Sequence, residues 1–264
     1  MNVAEQNDVL VPFFNRVRHA PSRALLLDYD GTLAPFTPDR TRAFPYREIP
    51  ELVSKIMRHN TRVVLVSGRA ATELLFLSGI QPPPEIWGSH GVERLHPDGA
   101  YEVHTPDLPH RHALHQASRA LQECGLEERM ESKPGAIAVH WRGLSADRRA
   151  RIEQKVRDVC APIAEDSGLE LLPFDGGLEL RAPGRTKGDA VNVVLAEAGG
   201  GVAAAYLGDD QTDENAFRAI KHRGLAVLVR SEHRPTIADT WLRPPEELVN
   251  FLRDWLSACG AEKR

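Results

Sequence analysis

Two aspartates stand two residues apart in Asp28-Tyr29-Asp30-Gly31-Thr32-Leu33, directly after the apolar run Ala24 to Leu27. Side chains alternate along an extended chain, so Asp28 and Asp30 are expected to point the same way, with Asp30-Gly31 turning the chain out of a sheet. Carboxylates brought that close repel each other unless a cation or a proton intervenes. Taken alone, the hexapeptide also reads as an ordinary strand-ending Asp-Gly turn. Two further apolar runs end in polar sequence: Arg62 to Val66 in Ser67-Gly68-Arg69, and Ala203 to Leu207 in Gly208-Asp209-Asp210-Gln211-Thr212-Asp213-Glu214. In open α/β sheets ligands bind beyond the carboxyl ends of the strands, so these ends would gather carboxylates, a hydroxyl and a cationic side chain in one crevice. Such a donor set suits a hard divalent cation such as Mg²⁺, which takes a few carboxylates and keeps water or substrate oxygens for the rest of its shell. The acidic run also suits a helix start, where Asp213 or Glu214 would complement the helix dipole. Lys187, in Arg185-Thr186-Lys187-Gly188, precedes Val191 and Val194 at a predicted helix start. A lysine is unfavourable there unless an anion lies nearby, and a bound phosphoryl group would supply one.

The elements that must position these groups follow from hydrophobic period. Ala24–Leu27, Arg62–Val66 and Ala203–Leu207 are short continuous apolar runs, as buried parallel strands require. Helical stretches follow two of them, one through Thr72, Leu75 and Phe76 and one opening near Thr212 that carries Phe217 and Ile220 inward. Strand and helix in alternation predict an α/β sheet covered on both faces. Leu248, Phe251, Leu252, Trp255 and Leu256 share one stripe of a closing helix.

The middle of the chain, from about Tyr101 to Ala182, alternates instead. Ile137, Val139 and Trp141 would face one way and Ala138, His140 and Arg142 the other; Leu178 and Leu180 would oppose Glu179 and Arg181; and Glu131 and Lys133 share a side. Helical stretches around Leu114, Ala117 and Leu121 and around Ile152, Val156, Val159 and Ile163 complete an α+β insert with one charged sheet face. That charged face is also what the solvated side of an antiparallel sheet looks like.

Bulk composition narrows the function classes. At ~150 residues per domain, 264 residues give a prior just under two domains. Hydrophobic residues at 42% and charged residues at 27% are ordinary globular usage and exclude a disordered or fibrous chain. The formal net charge of -4, without a basic run, gives no footprint for nucleic acid or an anionic membrane. Apolar runs fall far short of the ~20 residues that span a bilayer. Glu5 and Asp8 stand where a leader would carry cations, so a cytoplasmic location is expected. Cys124, Cys160 and Cys259 suggest neither a disulfide framework nor a zinc site. His110, His112 and His115 read as a solvated helix start rather than a metal site.

Asp-Tyr-Asp-Gly-Thr-Leu, Ser-Gly-Arg, Lys187 and the string from Gly208 to Phe217 together resemble the four motifs of the haloacid dehalogenase superfamily of phosphohydrolases. With Gly88-Ser89-His90-Gly91-Val92-Glu93, Glu131-Ser132-Lys133, His140-Trp141-Arg142 and Leu178-Glu179-Leu180-Arg181 added, the set resembles the trehalose-6-phosphate phosphatase family. The resemblance implies a Rossmann-like α/β core with a parallel sheet, residues 1–104 and 184–264, interrupted by a C2-type α+β cap, residues 105–183, that sets substrate specificity. It implies that Asp28 is the nucleophile, forming an aspartyl phosphate, and that Asp30 is general acid toward the sugar oxygen and then general base toward water. A cation on Asp28 and a drier setting for Asp30 would push their pKa values apart. Ser67 and Lys187 would hold phosphoryl oxygens. Mg²⁺ would be held by Asp28, the main-chain carbonyl of Asp30 and Asp209, with Asp210 or Asp213 reached through water. Substrate contacts are implied at Glu131, Lys133 and Glu179, with Arg69, His90, His140, Arg142 and Arg181 as further candidates. The implied reaction converts trehalose 6-phosphate to trehalose and phosphate. Sucrose 6-phosphate and mannosyl-3-phosphoglycerate phosphatases share the core and cap type, and a catalytically silent sugar-phosphate sensor would have lost Asp28 or Asp30. The expected protein is a monomer supplied by a separate trehalose-6-phosphate synthase.

Overall fold

The structure is a computed structural model that describes residues 3–37, 39–174 and 176–260. The chain divides into two compact units, one formed by residues 1–102 and 185–264 and the other by residues 103–184.

The first unit is built on an eight-stranded sheet. In chain order it contains α1 (Val3–His19), β1 (Arg23–Leu27), α2 (Ile49–Arg58), β2 (Thr61–Val66), α3 (Ala71–Leu77), β3 (Glu85–Gly88), β4 (Glu93–Leu95) and β5 (Tyr101–Val103). After the insertion come α6 (Lys187–Ala198), β10 (Ala203–Gly208), α7 (Glu214–Ile220), β11 (Leu225–Val229), β12 (Thr240–Leu242) and α8 (Glu246–Ala258). The strand order is β12-β11-β10-β1-β2-β3-β4-β5, parallel from β12 to β3 and antiparallel between β3 and β4.

Strand residues alternate between two apolar cores. Leu25 and Leu27 pack with Phe13, Ile56, Phe251 and Trp255 on one side of the sheet; Ala24 and Leu26 pack with Val191, Tyr206 and Phe217 on the other. Both faces are therefore covered, which is why these strands are apolar throughout. The predicted helix after β2 is present, but its inward residues are Ala71, Leu74 and Leu77, while Phe76 is 83% exposed. The predicted start near Thr212 is a 3₁₀ turn, Gln211–Asp213, that leads into α7.

The register places the chemistry. Leu27 pairs with Leu207 on one side and Leu65 on the other, so Asp28, Gly208 and Val66 leave their strands at one level.

The second unit contains α4 (Leu108–Glu123), β6 (Met130–Lys133), β7 (Ala136–His140), α5 (Ala146–Ser167), β8 (Glu170–Phe174) and β9 (Gly177–Arg181). Its sheet is antiparallel in the order β6-β7-β9-β8. Ile137, Val139, Leu178 and Leu180 form its core with Leu114, Leu121, Val156 and Cys160 of the two helices. Burial raises the Cys160 thiol to about 11, so it is inert. On the opposite face, Glu131, Ala138 and Glu179 lie side by side across three strands, as do Lys133, Ala136 and Arg181. The small alanines leave room between the long charged chains on either side. Among the described residues, no helix is long and apolar enough to cross a membrane.

Candidate active site

Asp28 is buried at the end of β1, where its amide donates to the carbonyl of Leu207. Lys187 Nζ lies 2.6 Å from Asp28 Oδ1 and 2.7 Å from Asp213 Oδ1, and Thr32 Oγ1 donates to Asp28 Oδ2 at 3.1 Å. Thr186 and Asp189 cap the helix start that carries Lys187. The anions that offset a lysine at this helix end are thus the two carboxylates themselves. Burial works against the Lys187 charge, but Asp213 and Asp28 outweigh it and hold the ammonium protonated. Burial pushes Asp28 up to about 7 against the pull of Lys187.

Asp213 is fully buried, and donors occupy both its oxygens. Lys187 and the Tyr206 hydroxyl, at 2.6 Å, donate to Oδ1; the amides of Asp209 and Asp210, at 3.0 and 2.9 Å, donate to Oδ2. Asp213 therefore shapes the loop and anchors Lys187. Asp210 caps the 3₁₀ turn, its Oδ1 accepting from the Gln211 amide.

Asp209 is different. Among the described residues its Oδ2, which is buried, has no hydrogen-bond donor, and the Arg230 guanidinium approaches it only to 3.8 Å. Burial, then repulsion from Asp28 and Asp213, raises its pKa well above the ordinary carboxylate value. Gly31, at φ +81°, brings the turn after β1 against this carboxylate; a Cβ there would stand 2.2 Å from Asp209 Oδ2. Ligand atoms of Asp28, Asp209 and Asp213 all lie within 4.8 Å of one another. A buried, unpartnered carboxylate oxygen among other carboxylates is what a hard divalent cation would satisfy, so the residues present fit one.

The raised Asp209 pKa has a sign. A carboxyl group whose folded pKa lies above its unfolded value contributes stability at low pH that is lost as pH rises through the folded value. At neutral pH an ionised Asp209 opposes folding of the metal-free chain. Asp209→Asn is expected to raise the unfolding temperature measured in EDTA, by about 2–4 °C for ~1 kcal/mol of relief in a chain of this size. A lower unfolding temperature than the parent's would contradict the repulsion.

Asp30 departs from the expected arrangement. The amides of Thr32, Leu33 and Ala34 all donate to the Tyr29 carbonyl, so the chain turns at Tyr29 and strand alternation no longer governs Asp30. Arg69 grips its carboxylate as a fork, Nε to Oδ2 at 2.6 Å and Nη2 to Oδ1 at 2.8 Å. The drier carboxylate is Asp28, with its side chain 4% exposed against 27% for Asp30. Arg69, expected among the substrate contacts, is itself buried. Its Nη1 donates to the Arg40 carbonyl at 2.9 Å and to Glu73, so it serves Asp30.

Ser67 is buried at the end of β2, its Oγ accepting from the Arg69 amide at 3.2 Å. The amide of His90 donates to the Ser67 carbonyl at 2.9 Å. His90 has a left-handed φ of 57°, and its ring stands where a Cβ on Gly68 would be. Glu93, buried, accepts from Ser89 and, at 2.5 Å, from Tyr101. Ser67, Arg69 and His90 therefore meet in one turn.

On the charged face of the second unit, Lys133 Nζ lies 2.9 Å from Glu179 Oε1 and 3.6 Å from Glu131 Oε2, and His140 Nε2 lies 2.9 Å from the same Glu131 oxygen. Lys133 and Glu179 are buried rather than solvated. Arg181 stands apart, paired with Glu170 at 3.1 Å. Arg142 lies beyond the end of β7, against Gly176. Among the described residues no metal-ligand cluster includes the three histidines; His110 pairs with Asp107 at the start of α4.

Sequence reasoning missed Tyr206, which reads as strand core, and Thr32, which lies inside the first motif without an assigned role. It also missed Arg234, in a loop without periodic signal, which donates to the carbonyls of both Asp209 and Asp210.

The chain is similar in sequence and fold to known proteins. The sequence profile of the trehalose-phosphatase family matches residues 26–243. Trehalose 6-phosphate phosphatase RA3 of Zea mays is 28% identical over 263 residues, covering 90% of this chain and 71% of that protein. Eight such curated relatives are longer, the chain spanning 64% to 72% of their length. Among solved structures, the C-terminal domain of C. albicans trehalose-6-phosphate phosphatase superposes with a TM-score of 0.76 at 19% identity, covering 96% of this chain and 97% of that one. A phosphatase of the HAD superfamily from Bacteroides thetaiotaomicron gives 0.56 at 16% identity, covering 90% and 95%. The fold is that of the haloacid dehalogenase superfamily. With the profile matched from the first strand to the last, through every strand end that bears a carboxylate of the site, the chain belongs to the trehalose-phosphatase family.

Proposed function

We propose that this phosphatase hydrolyses trehalose 6-phosphate to trehalose and inorganic phosphate through an aspartyl phosphate on Asp28. The observation that carries the reading is Asp28 buried at a strand end between Lys187 and the unpartnered oxygen of Asp209. Asp28 Oδ attacks phosphorus as the bond from phosphorus to the sugar oxygen breaks, and Asp30 delivers a proton to that oxygen. Asp30 then takes a proton from a water that attacks the same phosphorus, the bond to Asp28 breaks and phosphate departs. Arg69 orients Asp30 through its two-point grip. Lys187 and Ser67 hold the phosphoryl oxygens where charge develops. Asp28, Asp209 and the main-chain oxygen of Asp30 would hold Mg²⁺, with Asp210 and Asp213 behind them, and the cation would supply positive charge toward the phosphoryl oxygens.

Residues 105–183 act as the specificity unit in this reading. Glu131, Lys133, His140 and Glu179 present neighbouring donors and acceptors of the kind that read sugar hydroxyls. The protein works as a cytoplasmic monomer, and a separate trehalose-6-phosphate synthase supplies its substrate.

The test is kcat/KM for trehalose 6-phosphate, sucrose 6-phosphate, mannosyl-3-phosphoglycerate and glucose 6-phosphate, each with Mg²⁺ and with EDTA. Trehalose 6-phosphate is expected to lead by about 100-fold or more, as a site that pairs specific hydroxyls permits, and EDTA to silence turnover until Mg²⁺ is restored. A faster rate on sucrose 6-phosphate would overturn the substrate, and undiminished turnover in EDTA would overturn the cation.

A further inference from the structure

We propose that Arg234 is a positioning residue for the cation site, fixing the main chain of the Asp209-Asp210 turn and thereby aiming the Asp209 carboxylate. This rests on the reading of the carboxylate crevice as a cation site. Arg234 Nε donates to the Asp209 carbonyl at 3.1 Å, and Nη2 to the Asp210 carbonyl at 2.6 Å. Its Nη1 donates to Glu214 Oε1 at 2.5 Å and to the Pro235 carbonyl at 2.8 Å. Glu214 in turn accepts from the Ile237 amide at 3.1 Å. The segment after β11 is thus buckled to the start of α7, and the Arg234 side chain is 15% exposed.

The turn between is clamped from two sides. The amides of Asp209 and Asp210 go to Asp213 Oδ2, and their carbonyls go to Arg234, with Arg230 Nη1 a longer second donor to the Asp209 carbonyl at 3.4 Å. With amides and carbonyls both engaged, the peptide planes are fixed, and with them the direction of the Asp209 Cα–Cβ bond. That matters because Asp209 Oδ2 has no hydrogen bond of its own to aim it. Only an arginine offers the divergent donors that reach two carbonyls and a carboxylate at once.

Charge and geometry act in opposite directions, which makes the proposal testable. Removing a positive charge beside Asp209 would by itself favour a bound cation. Weaker binding after replacement of Arg234, in a variant that stays folded, therefore speaks for lost positioning and against a charge effect. Mg²⁺ binding to the full chain is measured by isothermal titration calorimetry without substrate, with thermal unfolding in EDTA followed alongside. Arg234→Lys keeps the charge and loses the fork; Arg234→Met loses both. Both are expected to weaken Mg²⁺ binding by about 10-fold or more, the range seen when supporting partners of metal ligands are replaced. An unchanged or tighter dissociation constant in Arg234→Lys would overturn the proposal, whatever happens to its unfolding temperature. A parent chain that takes up no Mg²⁺ would overturn the cation reading beneath it, a separate result, since the parent is titrated first.

Discussion

Asp28→Asn is expected to lower kcat for phosphate release by about 10⁴-fold or more while the protein stays folded. The amide matches the carboxylate in size and keeps an oxygen toward Lys187 Nζ, which stands 2.6 Å from Asp28 Oδ1. It lacks the charge and lone-pair availability to attack phosphorus, so no covalent intermediate forms. Stability supplies an internal control. Burial, partly countered by Lys187, places the Asp28 pKa at about 7, above its unfolded value. A group shifted in that sense contributes stability below the unfolded pKa and loses it as pH rises through the folded one. Above pH 7 the ionised carboxylate is a net burden on the metal-free chain, and the asparagine variant is expected to unfold no lower than the parent. Phosphate release within about 10-fold of the parent's would sink the assignment of Asp28, because knockout of an attacking group costs orders of magnitude more.

Lys187→Met is expected to damage both stability and rate. The ammonium is the cation that Asp28 and Asp213 share, and all three side chains are buried. Deleting it leaves two buried carboxylates facing each other with Asp209 alongside, a loss of about 3–5 kcal/mol by the measure of broken buried ion pairs. The rate should fall by about 10²–10³-fold, as when one preorganised donor to developing charge is removed. The two effects can be separated. In Lys187→Met/Asp213→Asn one of the stranded charges is gone, so urea unfolding should recover part of the lost stability while turnover stays low. Lower pH should also restore stability to the single variant, since Asp28 and Asp209, which burial shifts upward, are then protonated. Full activity in the single variant would remove Lys187 from the chemistry, and full stability would show that the carboxylates do not depend on it.

The parallel strands were legible because burial on both faces writes itself as an unbroken apolar run, as in Ala24–Leu27 and Ala203–Leu207. Site carboxylates at their ends were legible for the same reason: polar residues abruptly following such a run have no core to enter. What the sequence concealed depends on contacts formed at a distance. The direction of Asp30 is decided by a turn at Tyr29 and by a fork from Arg69, 39 residues away. Arg69 is held by Glu73, four residues on, but also by Asp30 and the Arg40 carbonyl, which lie 39 and 29 residues away and which no local pattern announces. Lys133 and Glu179 read as substrate contacts or as solvated sheet positions, and the pattern does not show that the intervening alanines of β7 let them close on each other and leave water. Arg234 sits in a stretch of mixed polarity where no period or spacing distinguishes it from an ordinary surface arginine.

The insertion between the two halves of the first unit also separates, along the chain, strands and side chains that meet in the fold. Residues 1–102 contain β1 and its neighbour β2, but β1's other neighbour, β10, begins only at Ala203. Until then one edge of the central strand is open, and Asp28 lacks the lysine that stands 159 residues further on. Residues 103–184 are contiguous and carry a sheet and core of their own, so they can collapse in the interval. In the folded unit β10 closes that strand edge, the turn after it brings Asp209 and Asp213, and α6 before it seats Lys187 against Asp28. A chain that ended before β10 would hold Asp28 without the lysine and the two carboxylates that surround it in the folded unit.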